Sequence, residues 1–557
     1  MLSCSRKTVF VILFASVAAL ACARPASAQT VCLTGDEVKS LAARAASEHG
    51  ARADKKLREE LLKAREKSQK IVREAVGKSA EGAEADEQGA RVSEAMRENG
   101  ERLCRILKES GWPTASRVGR DGAAAAAYLL KNSEPFQLQV ELLPVAAAAE
   151  KAGEMAAEDF AALVDRVRVR AGLRQLFGTQ AVMSRGFLVL SPIEAEAQVE
   201  ARRKQYHLPP LSEYLRYLEA LYQTPLVRSP ADPAPAPPGV SRDSVASATR
   251  MSVVAPQPVG DDEVVRVESN LVSLNASVYS ERLKSYVATL TRADFAVFED
   301  GRREEVSFFA ETDVPFDLVL LLDLSGSTAG KRDVIRQAAR HFIEAARPSD
   351  RIAVVAFANW VSVVSPLTDD RARLLESVKK IEGTGGTNLW DALRFTLGEV
   401  VGPKSPGRRR AVVLLSDGVD NALNYFVTKG QQNPWLMGQH VSFADLLEAV
   451  RHNDTLIIPI YLDTEIPGPP PFRRMYENAR KTLALLAEES GGAYYTARRV
   501  EDLNGVYEQV LNDLGKVYSL GYRPTNGKHD GSWRALKIEI PDRPDLTVRA
   551  RPGYYAN

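Results

Sequence analysis

The chain has 557 residues, 73 Lys+Arg against 72 Asp+Glu, 45% hydrophobic residues and four cysteines. Its length requires several domains. A formal charge of +1 excludes a global field that would steer it to nucleic acid or anionic lipid, and so few cysteines exclude a disulfide framework.

Arg6 and Lys7 precede an apolar run from Val9 to Leu20, and small residues end at Ala26-Ser27-Ala28. This is the pattern of a secretory signal peptide over 1–28. The run is short of the ~20 residues of a membrane-spanning helix, and no later stretch reaches that length. Cys22, after Ala19-Leu20-Ala21, resembles a bacterial lipoprotein box with Ala where leucine usually stands, so a lipid anchor there is the alternative to cleavage after Ala28. Either route predicts an extracytoplasmic protein, periplasmic or secreted. Cleavage at Ala28 removes three cations and no anion, taking the net charge from +1 to −2. It also leaves Cys32 and Cys104 in an oxidising compartment, as a candidate disulfide or as two unrelated buried thiols.

Residues 29–104 predict a long charged helix or coiled-coil arm. Leu57, Leu61, Ala64, Ile71 and Ala75 form a heptad-like stripe with Ser68 in the seam, shorter than three heptads, which favours packing on its own domain over an oligomerising arm. Residues 105–224 predict a helical domain, with helices at Ala123–Leu130, Gln137–Ala149 and Phe160–Val169.

Gly111-Trp112-Pro113, Val118-Gly119, Asp121-Gly122, Asp165-Arg166-Val167, Gly178-Thr179-Gln180, Arg202-Arg203 and Leu208-Pro209-Pro210-Leu211 with Tyr214 resemble an uncharacterised bacterial domain of unknown function. Members of that family often carry a histidine where Lys131-Asn132-Ser133 stands here, which removes the basis for histidine chemistry. Asp165-Arg166 with Gly178-Thr179-Gln180 could line a polar pocket with an Arg fork for a carboxylate or phosphate, or form a buried ion pair holding helix to loop. The sequence holds no Gly-x-Ser-x-Gly, His-Glu-x-x-His or Cys-x-x-Cys motif, and none of its six histidines has ligand spacing with another.

Residues 225–262 contain Pro-Ala-Asp-Pro-Ala-Pro-Ala-Pro-Pro and predict a disordered, flexible linker. Residues 263–312 alternate as half-buried strands with a turn at Asp300-Gly301. From 313 to 515, buried-strand runs at Phe316–Asp323, Ile352–Phe357, Val412–Leu415 and Leu456–Tyr461 alternate with amphipathic helices, which implies a doubly wound parallel sheet. Strands return over 516–557. The expected architecture is multidomain: a mainly α N-terminal domain, a Pro-rich linker, then an α/β domain flanked by two sets of strands that pair into one β-sandwich.

Asp323-x-Ser325-x-Ser327, Gly385-Gly386-Thr387 and Ser416-Asp417-Gly418 resemble the metal-ion-dependent adhesion site of von Willebrand factor A domains. Together with the flanking strands, residues 263–557 resemble the acidobacterial-type group of exported A-domain proteins. Hydroxyls at Ser325, Ser327 and Thr387 and carboxylates at Asp323 and Asp417 suit a hard divalent cation, Mg²⁺ or else Mn²⁺ or Ca²⁺, which takes oxygen ligands and keeps some water. The resemblance implies a non-enzymatic adhesion-type module whose open coordination position takes an Asp or Glu carboxylate of a protein partner. The other readings are an envelope enzyme with its chemistry in 105–220 and an assembly protein that oligomerises through its N-terminal helix. Trp435 and Met437, in a long insertion after Asp417, are expected on the partner-binding rim.

Overall fold

The computed structural model describes residues 32–47, 53–76, 83–222, 224–237, 240–253, 271–379, 381–383, 385–401, 407–420, 441–465, 468 and 470–556. The expected signal peptide, Cys22, Trp435 and Met437 lie outside these residues. The chain divides into two compact units, Met1–Tyr222 with Leu226–Asp262, and Glu263–Asn557 with Gln223–Pro225. None of the described helices is long and apolar enough to cross a membrane.

The first unit is mainly helical. It runs through α1 (Gly35–Ser47), α2 (Lys55–Val76), α3 (Ala83–Ser110), α4 (Ala115–Lys131), α5 (Phe136–Glu141), α6 (Leu143–Lys151), α7 (Ala157–Arg170), β1 (Ala181–Ser184), β2 (Phe187–Leu190), α8 (Val199–Gln205), α9 (Leu211–Tyr222), β3 (Leu226–Arg228) and α10 (Arg242–Ser252). The single helix expected over 137–149 is broken at Leu142 because Pro144, in the first turn of α6, has no N–H to continue the ladder.

Two expectations for this unit, the 104/105 boundary and the linker, are corrected. The stripe Leu57, Leu61 and Ala64 packs within its own unit, the reading favoured above over a coiled-coil arm: it is buried with Val118, Ala123 and Leu129. Ser68, the polar seam residue, accepts a hydrogen bond from Asn99 Nδ2 at 3.1 Å, and the same nitrogen bonds Asn132 O at 2.8 Å. There is no boundary at 104/105, because α3 runs through it and Leu103 and Leu107 share one core with Phe160 and Phe177. Cys32 and Cys104 are joined by a disulfide that ties the chain ahead of α1 to α3.

The second correction concerns the linker. Leu226–Arg228 pairs in parallel with β2, Val245 and Val253 join the helical core, and Thr249 Oγ1 accepts from the buried Arg168 Nη1 at 2.9 Å. Its proline-rich part passes close over Gly172, where a Cβ would come within 2.8 Å of Ala234 O. Low average hydrophobicity concealed these anchors, each of which needs a partner distant in sequence.

The second unit opens with β4 (Val272–Ser280), β5 (Ser285–Tyr286), β6 (Ala296–Glu299), β7 (Arg302–Glu304) and β8 (Val306–Ala310). The α/β domain follows: β9 (Phe316–Asp323), α11 (Arg332–Ala345), β10 (Arg351–Phe357), β11 (Val361–Thr368), α12 (Arg371–Val378), α13 (Leu389–Phe395), β12 (Arg409–Ser416), α14 (Phe443–Arg451), β13 (Leu456–Leu462), α15 (Pro470–Ser490), β14 (Tyr495–Ala497) and α16 (Leu503–Leu514). Among the described residues its sheet has the order β11-β10-β9-β12-β13-β14, parallel except for β11, which pairs antiparallel to β10. Every residue of β9 is buried, as a central strand covered on both faces must be. Leu318, Leu320 and Leu322 pack on one face with Ile335, Phe342, Leu374 and Tyr507 from α11, α12 and α16. The edge strand β11 was not foreseen, since Pro366 breaks the strand pattern and is tolerated only at such an edge.

The chain ends in β15 (Val517–Tyr522), β16 (Trp533–Glu539), β17 (Leu546–Arg549) and β18 (Gly553–Tyr555). Strands from the two sides of the α/β domain pair with each other: β17-β4-β15-β8 form one sheet and β18-β16-β6-β7 another, with Leu274 opposite Leu520. Val278, Val297, Tyr518, Tyr522 and Leu546 share one core between the sheets. The buried Glu299 of β6 accepts from Tyr522 of β15 at 2.5 Å and from Tyr554 at 2.9 Å, a polar tie across that core. Arg409 of β12 joins this layer to the α/β domain, donating to Ser519 Oγ at 2.8 Å and Glu311 O at 2.6 Å.

Candidate functional site

In an open parallel sheet the ligand crevice forms beyond the carboxyl ends of the strands, because the loops there diverge to opposite faces. Asp323 ends β9, and Asp417 directly follows β12, the neighbouring strand, in which Leu415 lies opposite Leu322. Both carboxylates are buried, at 0% and 1% exposure. Asp323 Oδ1 accepts from the Ser325 N–H at 2.9 Å, and Asp323 Oδ2 accepts from Ser416 Oγ at 2.6 Å. Asp417 accepts from the Val419 N–H at 3.1 Å and from Thr464 Oγ1 at 2.7 Å. The Ser325 and Ser327 hydroxyls lie 3.1 Å apart, and Thr328 Oγ1 closes the turn by donating to Asp323 O at 3.0 Å.

Thr387 reaches the same end of the sheet through its backbone. The Gly326 N–H donates to Gly385 O at 2.8 Å, the Gly386 N–H to Asn359 Oδ1 at 2.7 Å and the Asn388 N–H to Ala358 O at 2.9 Å. Gly385 has φ +103, and a Cβ there would lie 2.2 Å from Asn359 Nδ2, so only glycine lets the two loops close. Thr387 itself is buried.

Burial, and next the charge of Asp417, push the Asp323 carboxyl up to about 7. Among the described residues the hydrogen bonds to the two carboxylates come from hydroxyls and backbone N–H groups, none of which brings a counter-charge. Among the described residues there is no group of three or more His, Cys, Asp or Glu that could hold a metal. A cation at this place would therefore be held by two carboxylates helped by hydroxyls, an all-oxygen set that fits a hard divalent ion and is unsuited to a soft one.

Sequence reasoning missed Ser416 as the donor that orients Asp323, and Thr464 as the donor that orients Asp417. Both are hydroxyl residues at the carboxyl end of a buried parallel strand, which was the available signal. It also missed Asp420, whose Oδ2 accepts from the Trp390 N–H at 3.1 Å and so ends the Asp417 loop on the first turn of α13.

Among the described contacts, Asp165 neither opens on a pocket with Arg166 as a fork nor pairs with Arg166; it clamps a loop. Asp165 is fully buried and accepts from the N–H groups of Leu176, Phe177 and Thr179 and from Thr179 Oγ1, at 2.6 to 3.2 Å. Burial, and next the like charge of Arg170, lower the Arg166 guanidinium to about 9, against the opposing charge of Glu134. The clamp is structural: Asp165→Ala strands three buried N–H groups and is expected to cost about 3 kcal/mol, read as a fall in the denaturant midpoint of the first unit.

Two family models match this chain. One, a family of unknown function (DUF6624), matches residues 55–226. The other, the von Willebrand factor type A domain, matches residues 318–419 and takes in all five site residues named above. The chain carries a von Willebrand factor A domain. A UPF0353 protein of Nocardia farcinica (strain IFM 10152) is 25% identical over 239 residues, 40% of this chain and 67% of that protein. Among solved structures, the proximal thread matrix protein 1 of the mussel byssus, with zinc occupying its MIDAS motif, is 18% identical with a TM-score of 0.29 over 39% of this chain. The chain spans about half that protein's length, 49%. The A domain of the type V pilus tip protein Mfa5 of Porphyromonas gingivalis is 14% identical, with a TM-score of 0.29 over 36% of this chain and 94% of its own.

Proposed function

We propose that the A domain is a divalent-cation-dependent protein-binding module of an exported protein, and that it has no enzymatic activity of its own. One observation carries this reading: two buried carboxylates, Asp323 and Asp417, which have no counter-charge among the described residues, stand with hydroxyls at the carboxyl ends of adjacent parallel strands. Asp323, Ser325, Ser327, Thr387 and Asp417 would hold the ion, Mg²⁺ before Mn²⁺ or Ca²⁺. Ser416 and Thr464 keep the two carboxylates oriented. When bound, the cation supplies Lewis acidity at an open position, and because three of its protein ligands are neutral it stays electrophilic enough to take an Asp or Glu of the partner. Export is supported by the Cys32–Cys104 bridge, which persists in oxidising compartments.

The test is affinity capture from cell-envelope extracts with the wild-type chain and Asp323→Ala, each with Mg²⁺ and with EDTA. Proteins retained only by the wild type in Mg²⁺ are the expected result. A folded Asp323→Ala protein that keeps every partner in both conditions would refute the reading.

A further inference from the structure

The β10–β11 hairpin carries an aromatic residue that no site role yet uses. Trp360 is 77% exposed, whereas Trp390 of the same domain is 2% exposed. An indole left in water is costly, by ~25 cal/mol per Å² of apolar surface, so its exposure calls for an explanation. The hairpin lies on the rim of the site. Phe357, three residues earlier, is registered against Asp323, and the Leu324 N–H donates to Phe357 O at 2.8 Å.

The hairpin is also fastened to the loop that bears Thr387. Asn359, next to Trp360, accepts from the Gly386 N–H through its side chain and from Asn388 Nδ2 through its carbonyl at 2.8 Å. The Ala358 N–H closes the hairpin on Trp360 O at 3.1 Å. Trp360 is thus an exposed aromatic on a hairpin whose backbone is fastened to the end of β9 and to the Thr387 loop, with Val363 of the edge strand also exposed at 42%. Rigid exposed aromatics are the side chains that most often dominate binding energy at interfaces, because they bury much area for little lost rotamer entropy.

We propose that Trp360 forms a second subsite of the A domain, which takes a large apolar or aromatic side chain next to the partner's carboxylate-bearing residue. The proposal rests on the carboxylate reading above. The preferred partner segment is then an acidic residue with a bulky neighbour on an exposed loop. The cation confers charge selectivity, and Trp360 selects the neighbouring residue.

The experiment uses the full mature chain and four N-acetylated tetrapeptide amides on a biosensor surface: Gly-Asp-Phe-Gly, Gly-Asp-Gly-Gly, Gly-Asn-Phe-Gly and Gly-Asn-Gly-Gly. In Mg²⁺ the wild type is expected to bind Gly-Asp-Phe-Gly roughly tenfold more tightly than Gly-Asp-Gly-Gly. Trp360→Ala should bring the first down to the second and leave the second unchanged, while its Mg²⁺-dependent thermal shift stays at the wild-type value. Equal affinities in the wild type, or a preference for Phe that survives Trp360→Ala, overturn the subsite and leave the carboxylate reading standing. If the Asn peptides bind as well as the Asp peptides, or if EDTA changes nothing, the carboxylate reading itself falls and the subsite with it.

Discussion

If the ion is held as proposed, Asp323→Asn is expected to reduce Mg²⁺ affinity by about 100-fold or more, since it takes one of the two proposed anionic ligands from a buried site. Isothermal titration of the full chain measures this directly. A thermal shift gives an independent reading. Burial beside Asp417 pushes the Asp323 carboxyl up to about 7, above its ordinary value of roughly 4. Between about pH 4 and 7 the metal-free folded state therefore holds a proton that the unfolded state has released. The group costs stability as pH rises through that window, and a cation binding the deprotonated pair removes the cost. At 100 times its dissociation constant Mg²⁺ should add about 2.7 kcal/mol to the wild type, a rise of roughly 4 °C for a unit of about 300 residues. The Asn variant should lose that rise. In EDTA it should melt no lower than the wild type, because one of two like charges is gone. A variant that keeps the full Mg²⁺ shift would show that the ion is held elsewhere.

Breaking the Cys32–Cys104 bridge, by reduction or by a double Cys→Ser substitution, is expected to destabilise the first unit by about 4 kcal/mol, the chain-entropy value for a closed loop of this length. The bridge joins positions 72 residues apart, and the loop contains α1, α2 and most of α3. Leu33, Leu41 and Ala45 reach the core from the chain just after Cys32. Reduction should therefore expose the α1 amides to hydrogen exchange before those of α7, whose Phe160, Leu163, Val164 and Val167 are 0% exposed. Uniform loss of protection across both helices would count against this order. The second unit has neither of these cysteines, so its Mg²⁺-dependent shift should survive reduction.

Strands β9, β10, β12 and β13 of the A domain could be read from the sequence because each is a short apolar run, whereas β11, with Ser362, Ser365 and Pro366, is not. Phe316–Asp323 is buried along its whole length for the same reason that it is apolar along its whole length. Asp323, Ser325 and Ser327 could be paired because residues two apart at a strand end stay neighbours whatever the rest of the chain does. Helix existence was equally local, while helix partners were not. Leu57, Leu61 and Ala64 make the same stripe whether they meet a second copy or α4, and only the fold decides between them.

What the sequence by itself determined was therefore local: the buried strands, the oxygen-rich residues that follow them, and the two cysteines that could meet. Tertiary structure decided everything that depends on partners distant in the chain. It paired Leu274 with Leu520 across the inserted A domain, set Ser416 on Asp323 and Thr464 on Asp417, drew the segment after Pro225 into the first unit, and left Trp360 in solvent while burying Trp390. The physical reason is that hydrophobic burial is not directional. An apolar face specifies that it must be covered, and the packing of the whole unit specifies what covers it.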